Sequence, residues 1–180
     1  MSNENTLQRI RELRVDALYE KKKHYNAADR KAKYNLWFGI PNLVANVIVS
    51  SVLFALLAYR GSFAPIMIWI GAILSLITGI LGGLQTFFKY PKVVEGHRAI
   101  ASRFLAIAKE CRRIEAYILD EQMDPQALHE QLERLGRTYD DVVKDATPFL
   151  TNKKDYNLAQ KGFTENEEEY TEQELNYRGE

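Results

Sequence analysis

Apolar and polar residues in this chain are sorted first into blocks and only then into periods. From Tyr34 to Tyr59 there is no Asp, Glu, Lys, Arg or His, a run of 26 residues. After Arg60 a second run, Gly61 to Phe88, is equally free of charge over 28 residues. A helix needs roughly 20 apolar residues to cross a hydrocarbon layer of about 30 Å. Each run is therefore long enough to span a membrane, with residues left for tilt. The blocks predict a two-helix transmembrane hairpin within 34–88, with spans at 36–58 and 64–87. The segment Tyr59-Arg60-Gly61-Ser62-Phe63-Ala64-Pro65 between them reads as a tight turn broken by Gly and Pro. The first run lies behind more than thirty polar and charged residues and is followed by no small-residue cleavage site, so it does not read as a signal peptide.

Outside the two runs the pattern becomes periodic. Residues 1–33 read as a basic helix of modest amphipathicity (Leu7, Ile10, Leu13, Ala17) that continues into the first span. Beyond the second span, Pro91 marks a kink. Val93, His97, Ile100, Phe104, Ile107, Cys111, Ile114 and Ile118 then alternate in steps of four and three, an a/d seam of coiled-coil type. Asp124 and Pro125 read as the N-cap and first position of a further helix, with Met123 able to staple onto Leu128. Its seam is Leu128, Leu132, Leu135, Tyr139 and Val142. A short connection between two such helices predicts an antiparallel pair over 89–163. The expected fold is all-α: a transmembrane hairpin continuous with a cytoplasmic helical bundle. No strand pattern competes with it.

Charge orients this arrangement. Residues 1–33 hold nine Lys and Arg, the connecting turn holds only Arg60, and Lys89, Lys92, Arg98 and Arg103 follow the second span. Bases close to a span stay on the cytoplasmic side, which predicts that both termini lie in the cytoplasm. Tyr34, Trp37, Phe38, Phe87, Phe88 and Tyr90 match an inner aromatic belt, and Tyr59, Phe63 and Trp69 an outer one. Residues 164–180 carry seven Glu against one Arg and read as an acidic, disordered tail. These blocks cancel to 24 bases against 24 acids and a mean hydropathy of −0.32, values that resemble a soluble protein only in the average. The neutral total argues against direct nucleic-acid binding.

Chemistry is sparse. There is no phosphate-binding glycine loop, no GxSxG, no HExxH, and no Cys or His at metal-ligand spacing. His24, His97 and His129 fall on different predicted helices. His97, on a seam position, is open to three readings: a hydrogen-bonded core residue, a titrating gate element or a metal ligand. Cys111, on the same seam, reads as a small core hydrophobe. No enzyme, cofactor or metal site is expected. The spans say more. In the second, Gly71, Ser75, Gly79 and Gly83 recur at every fourth position and form a small-residue stripe suited to close helix packing. In the first, Asn42, Asn46 and Ser50 recur in the same way and form one polar face. Polar side chains at membrane depth turn toward protein or water. Two readings stay open: interhelical hydrogen bonding, or lining of an aqueous path when several hairpins assemble.

The order of parts resembles the SLATT domain family, a prokaryotic two-transmembrane effector module. The resemblance is carried by the basic helix Tyr19–Lys33, the paired spans, and the segment Lys92-Val-Val-Glu-Gly-His97-Arg-Ala-Ile-Ala-Ser-Arg-Phe104-Leu. It continues in Ala146-Thr-Pro148-Phe-Leu and Asp155-Tyr156-Asn-Leu-Ala159, and covers residues 5–162. It implies an effector of bacterial antiviral, abortive-infection systems that perforates the inner membrane when triggered, and a separate sensor or nucleotide-signalling partner. The expected function is an oligomeric pore-forming or membrane-disrupting effector, held together through the seam His97, Ile100, Phe104, Ile107, Cys111, Ile114 and Ile118. The expected partners are the lipid bilayer and further copies of the chain. The alternative is a non-conducting anchored scaffold that presents a coiled coil to a cytoplasmic partner.

Overall fold

A computed structural model describes residues 3–58, 64–120 and 124–165. Every regular element among them is a helix: α1 (Asn3–Ala58), α2 (Ala64–Phe88), α3 (Tyr90–Leu119), α4 (Pro125–Ala146) and α5 (Lys153–Thr164). The turn residues Tyr59–Phe63, the staple residue Met123 and the acidic tail from 166 onward lie outside the described residues. Two compact units result, one from residues 1–28 and 95–180, the other from 29–94. The basic N-terminal stretch thus belongs to the bundle up to Ala28, and the bundle contains more than the expected helical pair.

In the bundle unit, the seven seam residues of α3 from His97 to Ile118 are all buried. Leu128, Leu135 and Val142 of α4 close on this seam, with Leu132 and Tyr139 packed beside them. The Phe104 and Tyr139 rings meet edge to face at 5.6 Å, a geometry that aromatic quadrupoles favour. Asp124 caps α4 by accepting from the backbone N–H groups of Gln126 and Ala127. The first half of α1 supplies a third seam: Ile10, Arg14, Ala17, Lys21, His24 and Ala28, all buried and again stepping by four and three. It runs antiparallel to α3, because Arg14 reaches Glu115 at 2.9 Å while His24 reaches His97 at 3.0 Å.

The Glu115 carboxylate is shared by two guanidinium groups, Arg11 at 2.7 Å and Arg14 at 2.9 Å. Helix α5 lies along α1. Asn152 and Asp155 form a reciprocal capping box at its start, and Asn26 donates to the Asp155 carbonyl at 3.0 Å. Tyr19 stacks on Phe163 at 4.4 Å, and the Lys22 ammonium sits 4.8 Å from the same ring.

In the hairpin unit α1 and α2 run antiparallel. The carboxamide of Gln85 donates to the Asn35 side-chain oxygen at 3.2 Å. A β-carbon added at Gly39 would sit 2.8 Å from Gln85 Nε2, so glycine is what lets the chains approach there. Pro41 lies within α1 without ending it, as membrane helices tolerate. The break after α2 falls at Lys89, which adopts φ 46°, and α3 starts at the next residue with Pro91 in its first turn. Around this break the rings of Tyr34, Phe38, Phe88 and Tyr90 pack together, Phe38 on Tyr90 at 6.1 Å and Phe88 on Tyr90 at 5.3 Å.

One close contact in the bundle generates a direct test. A β-carbon at Gly96 would overlap the ring of Phe149, which also meets His97 edge-on at 5.6 Å. Gly96→Ala should lower the unfolding free energy by about 1–3 kcal/mol, the usual cost of overpacking. Phe149→Ala should recover part of that loss in the double variant, measured by denaturant unfolding followed by circular dichroism.

Candidate functional site

The polar residues of the first span divide between two environments. Asn42 is half-buried, with its Nδ2 3.5 Å from where a β-carbon on Gly82 would lie, so it faces α2. Asn46 and Ser50 are exposed. The Asn46 amide donates back along its own helix to the Asn42 carbonyl at 2.8 Å and to Oδ1 at 3.2 Å. The Ser50 hydroxyl donates to the Asn46 carbonyl at 2.9 Å. Asn42 thus meets α2 while its stripe neighbours Asn46 and Ser50 do not. A step of four residues overshoots a 3.6-residue turn, so a fourfold stripe winds around the helix.

The same drift separates the small-residue stripe of α2. Gly71 faces α1, where an added β-carbon would touch Val52 at 3.4 Å. Gly79 and Gly83 meet nothing within 4 Å and are exposed, as is Ser75. The glycines at the closest approach are instead Gly39 and Gly82. Sequence reading missed both. Gly39 was the available signal, a helix-weakening residue placed where the first span begins.

These contacts fix which residues share a side. In an antiparallel pair, residues four beyond a contact position on each helix turn to the same flank. Asn46 and Ser50 follow Asn42 at four and eight, while Ser75 and Gly79 follow Gly71 in the same way. Thr86 follows Gly82, and its hydroxyl donates to the Gly82 carbonyl at 3.0 Å. Asn46, Ser50, Ser75, Gly79 and Thr86 therefore turn to one flank of the hairpin, which Leu43, four residues after Gly39, also joins. Ile48, Ile77 and Leu84, one residue before contact positions, lie on the other flank. Trp37, Leu57 and Phe87, each 78–83% exposed, complete an apolar exterior suited to lipid.

In the bundle the structure brings together two histidines that the sequence left on separate helices. His24 Nδ1 and His97 Nδ1 are 3.0 Å apart, with both rings buried and flanked by Phe104 and Phe149. One ring must offer an N–H and the other a lone pair, so at least one imidazole is neutral. The pKa of His24 is lowered to about 4, first by burial and then by the neighbouring Lys23, against an opposing pull from Asp155. Burial pushes the Cys111 thiol up to about 12, so the thiol stays protonated. His129 lies apart from the pair, on a groove of about 900 Å³ between α1 and α4 that Leu13, Asp16, Leu128 and Leu132 also line. Among the described residues, no three Asp, Glu, His or Cys converge on a point that could hold a metal ion.

The architecture defines a two-span, all-helical membrane protein whose helices also build a bundle. The chain belongs to the SMODS and SLOG-associating 2TM effector domain family 4, whose family model matches residues 7–174. No curated protein and no solved structure matches it.

The histidine pair sets a pH dependence whose sign follows from the lowered pKa. Unfolded His24 takes up a proton near pH 6.5, whereas folded His24 resists it until about pH 4. Stability is therefore full above pH 6.5 and falls between pH 6.5 and 4, by an amount on the order of 3 kcal/mol. Asp16, whose pKa is raised chiefly by burial, acts in the opposite sense. His24→Leu should flatten the slope relative to the wild type, read as unfolding free energy against pH.

Proposed function

We propose that the protein is an oligomeric inner-membrane effector of bacterial antiviral defence that opens an aqueous path when triggered. Both termini face the cytoplasm, and the trigger is a sensor or nucleotide-signalling partner that engages the bundle. This reading assigns the chain no catalytic chemistry. The observation that carries it is the exposure of Asn46 and Ser50 beside Ser75 and Gly79 on one flank of an otherwise apolar hairpin. An amide at membrane depth is costly against lipid and settles against protein or water. Two helices cannot enclose a path, so several copies must place this flank inward. Small residues on it permit the close approach that association in lipid requires.

The Asn46 N–H stays bonded to its own helix; in the open state its Oδ1, which accepts from no described residue, takes a water. Asn42, facing Gly82, serves the hairpin itself. The basic residues of 1–33 and those following the second span support the orientation. Family membership supports the effector role.

The two asparagines should separate by experiment. Asn46→Leu should leave the oligomer mass unchanged and reduce triggered conductance at least tenfold, measured as membrane depolarisation in cells. Asn42→Leu, by crowding Gly82, should weaken the hairpin and lower its thermal stability in detergent. Unchanged potential in triggered wild-type cells would reject the pore. Retained function after both spans are exchanged for an unrelated hairpin would favour the anchored scaffold.

A further inference from the structure

The end of the hairpin unit that carries Tyr34 and Tyr90 holds more positive charge than its fold uses. Residues 29–94 contain a single acid, Asp29, against Arg30, Lys31, Lys33, Lys89 and Lys92 at this end. Lys31, Lys33, Lys89 and Lys92 reach no carboxylate among the described residues, and the last three are exposed. Their chain neighbours pack against one another: Lys33 precedes Tyr34, Lys89 lies between Phe88 and Tyr90, and Lys92 follows Tyr90 by two residues. Packing, ion pairing and capping leave these three ammonium groups unaccounted for.

Backbone strain at Lys89 adds an independent sign. Its φ of 46° lies in the left-handed region, where glycine or asparagine is the usual occupant at a helix end. A lysine there carries strain that a glycine would remove, and such outliers persist where the side chain has a use. The ammonium is held just past the last turn of a span, next to rings that mark the boundary of the hydrocarbon. A phosphodiester is the anion available at that depth.

We propose that Lys33, Lys89 and Lys92 form a binding collar for the phosphate of anionic phospholipids, so that the protein selects such lipids from a mixed bilayer. The proposal rests on the hairpin lying in a membrane, and it concerns the lipid rather than the conducting path. A lysine close to headgroup phosphates is worth about fivefold in affinity, and the selection should be screened by salt.

Trp37 is a built-in reporter, one turn beyond Lys33 on the same face of α1 and 78% exposed. The full chain carrying Trp69→Phe leaves it as the one tryptophan, since the sequence has two. Reconstituted in phosphatidylcholine vesicles doped with brominated phosphatidylglycerol or brominated phosphatidylcholine, its quenching gives the relative association constant of the two lipids. The expected result is a preference for phosphatidylglycerol of fivefold or more. It should collapse to within about twofold of unity in K33Q/K89Q/K92Q, or in wild type at about 0.5 M NaCl, where the screening length is near 4 Å. It should survive in K33R/K89R/K92R. K89G should raise thermal stability while lowering the preference. Equal quenching by the two lipids, or a preference kept by the glutamine variant, overturns the collar. So does removal of the preference by inorganic phosphate at unchanged ionic strength, since a free anion would then be the ligand. Absence of quenching by either lipid overturns the membrane placement beneath it.

Discussion

A polar group inside hydrocarbon has no water to bind, and the hairpin is organised by that constraint. The side chains of Asn46, Ser50, Ser51 and Thr86 each donate to a carbonyl four residues earlier on their own helix. Their donors are met without a neighbour, whereas the Asn46 Oδ1 accepts from no described residue and is left for water or another copy. Gln85 instead donates to Asn35 across the pair, where Gly39 makes room for the carboxamide. The hairpin therefore has two kinds of polar residue: those that join its helices, and those that stay available to another copy or to water. Asn42 and Asn46, one turn apart, fall on opposite sides of that division.

The bundle solves the converse problem, since water surrounds it and burial of apolar surface drives its assembly. Its α3 seam is filled with Ile, Phe and Cys, whereas the α1 seam facing it contains Arg14, Lys21 and His24. Charges in such positions are weak sources of stability but strong penalties for mispairing. Two arginines converge on Glu115 at one end of the α1–α3 contact and two imidazoles meet at the other. A sliding of either helix by one turn would leave these groups buried without partners. The polar seam thus specifies register, while the apolar seam supplies the attraction.

The difference between the two seams explains what could be read from the residues alone. Runs of 26 and 28 residues without charge announced the spans, and the strict alternation from His97 to Ile118 announced the long seam. The partner seam on α1 is obscure in the sequence because half of its six positions are ionisable, and apolar spacing alone marks only Leu7, Ile10, Leu13 and Ala17. Spacing at every fourth residue accumulates about 40° per step, so in each span one member of the stripe, Asn42 or Gly71, meets the other helix and later members turn away. Helix α5 has a signal in its Asn152–Asp155 spacing, but its aromatic contacts with Tyr19 span more than a hundred residues. No local pattern could pair them.

A last consequence concerns where each unit is vulnerable. The hairpin's contact face relies on glycines and an amide pair, with little apolar surface to remove from water, so detergent and lipid composition should govern it more than temperature or urea. The bundle relies on buried Ile, Leu and Phe and on a buried histidine pair in which the His24 pKa is lowered, so denaturant and acid should govern it. The residues that would respond to a trigger in an aqueous compartment are thus chemically distinct from those that would respond to the bilayer. A signal that alters the bundle can leave the hairpin's own bonds intact, because Asn35, Gly39, Asn42, Gly82 and Gln85 hold it without using any bundle residue. What such a signal could change at low cost is the flank of Asn46 and Ser50, whose hydrogen bonds are internal to one helix and survive whichever surface they face.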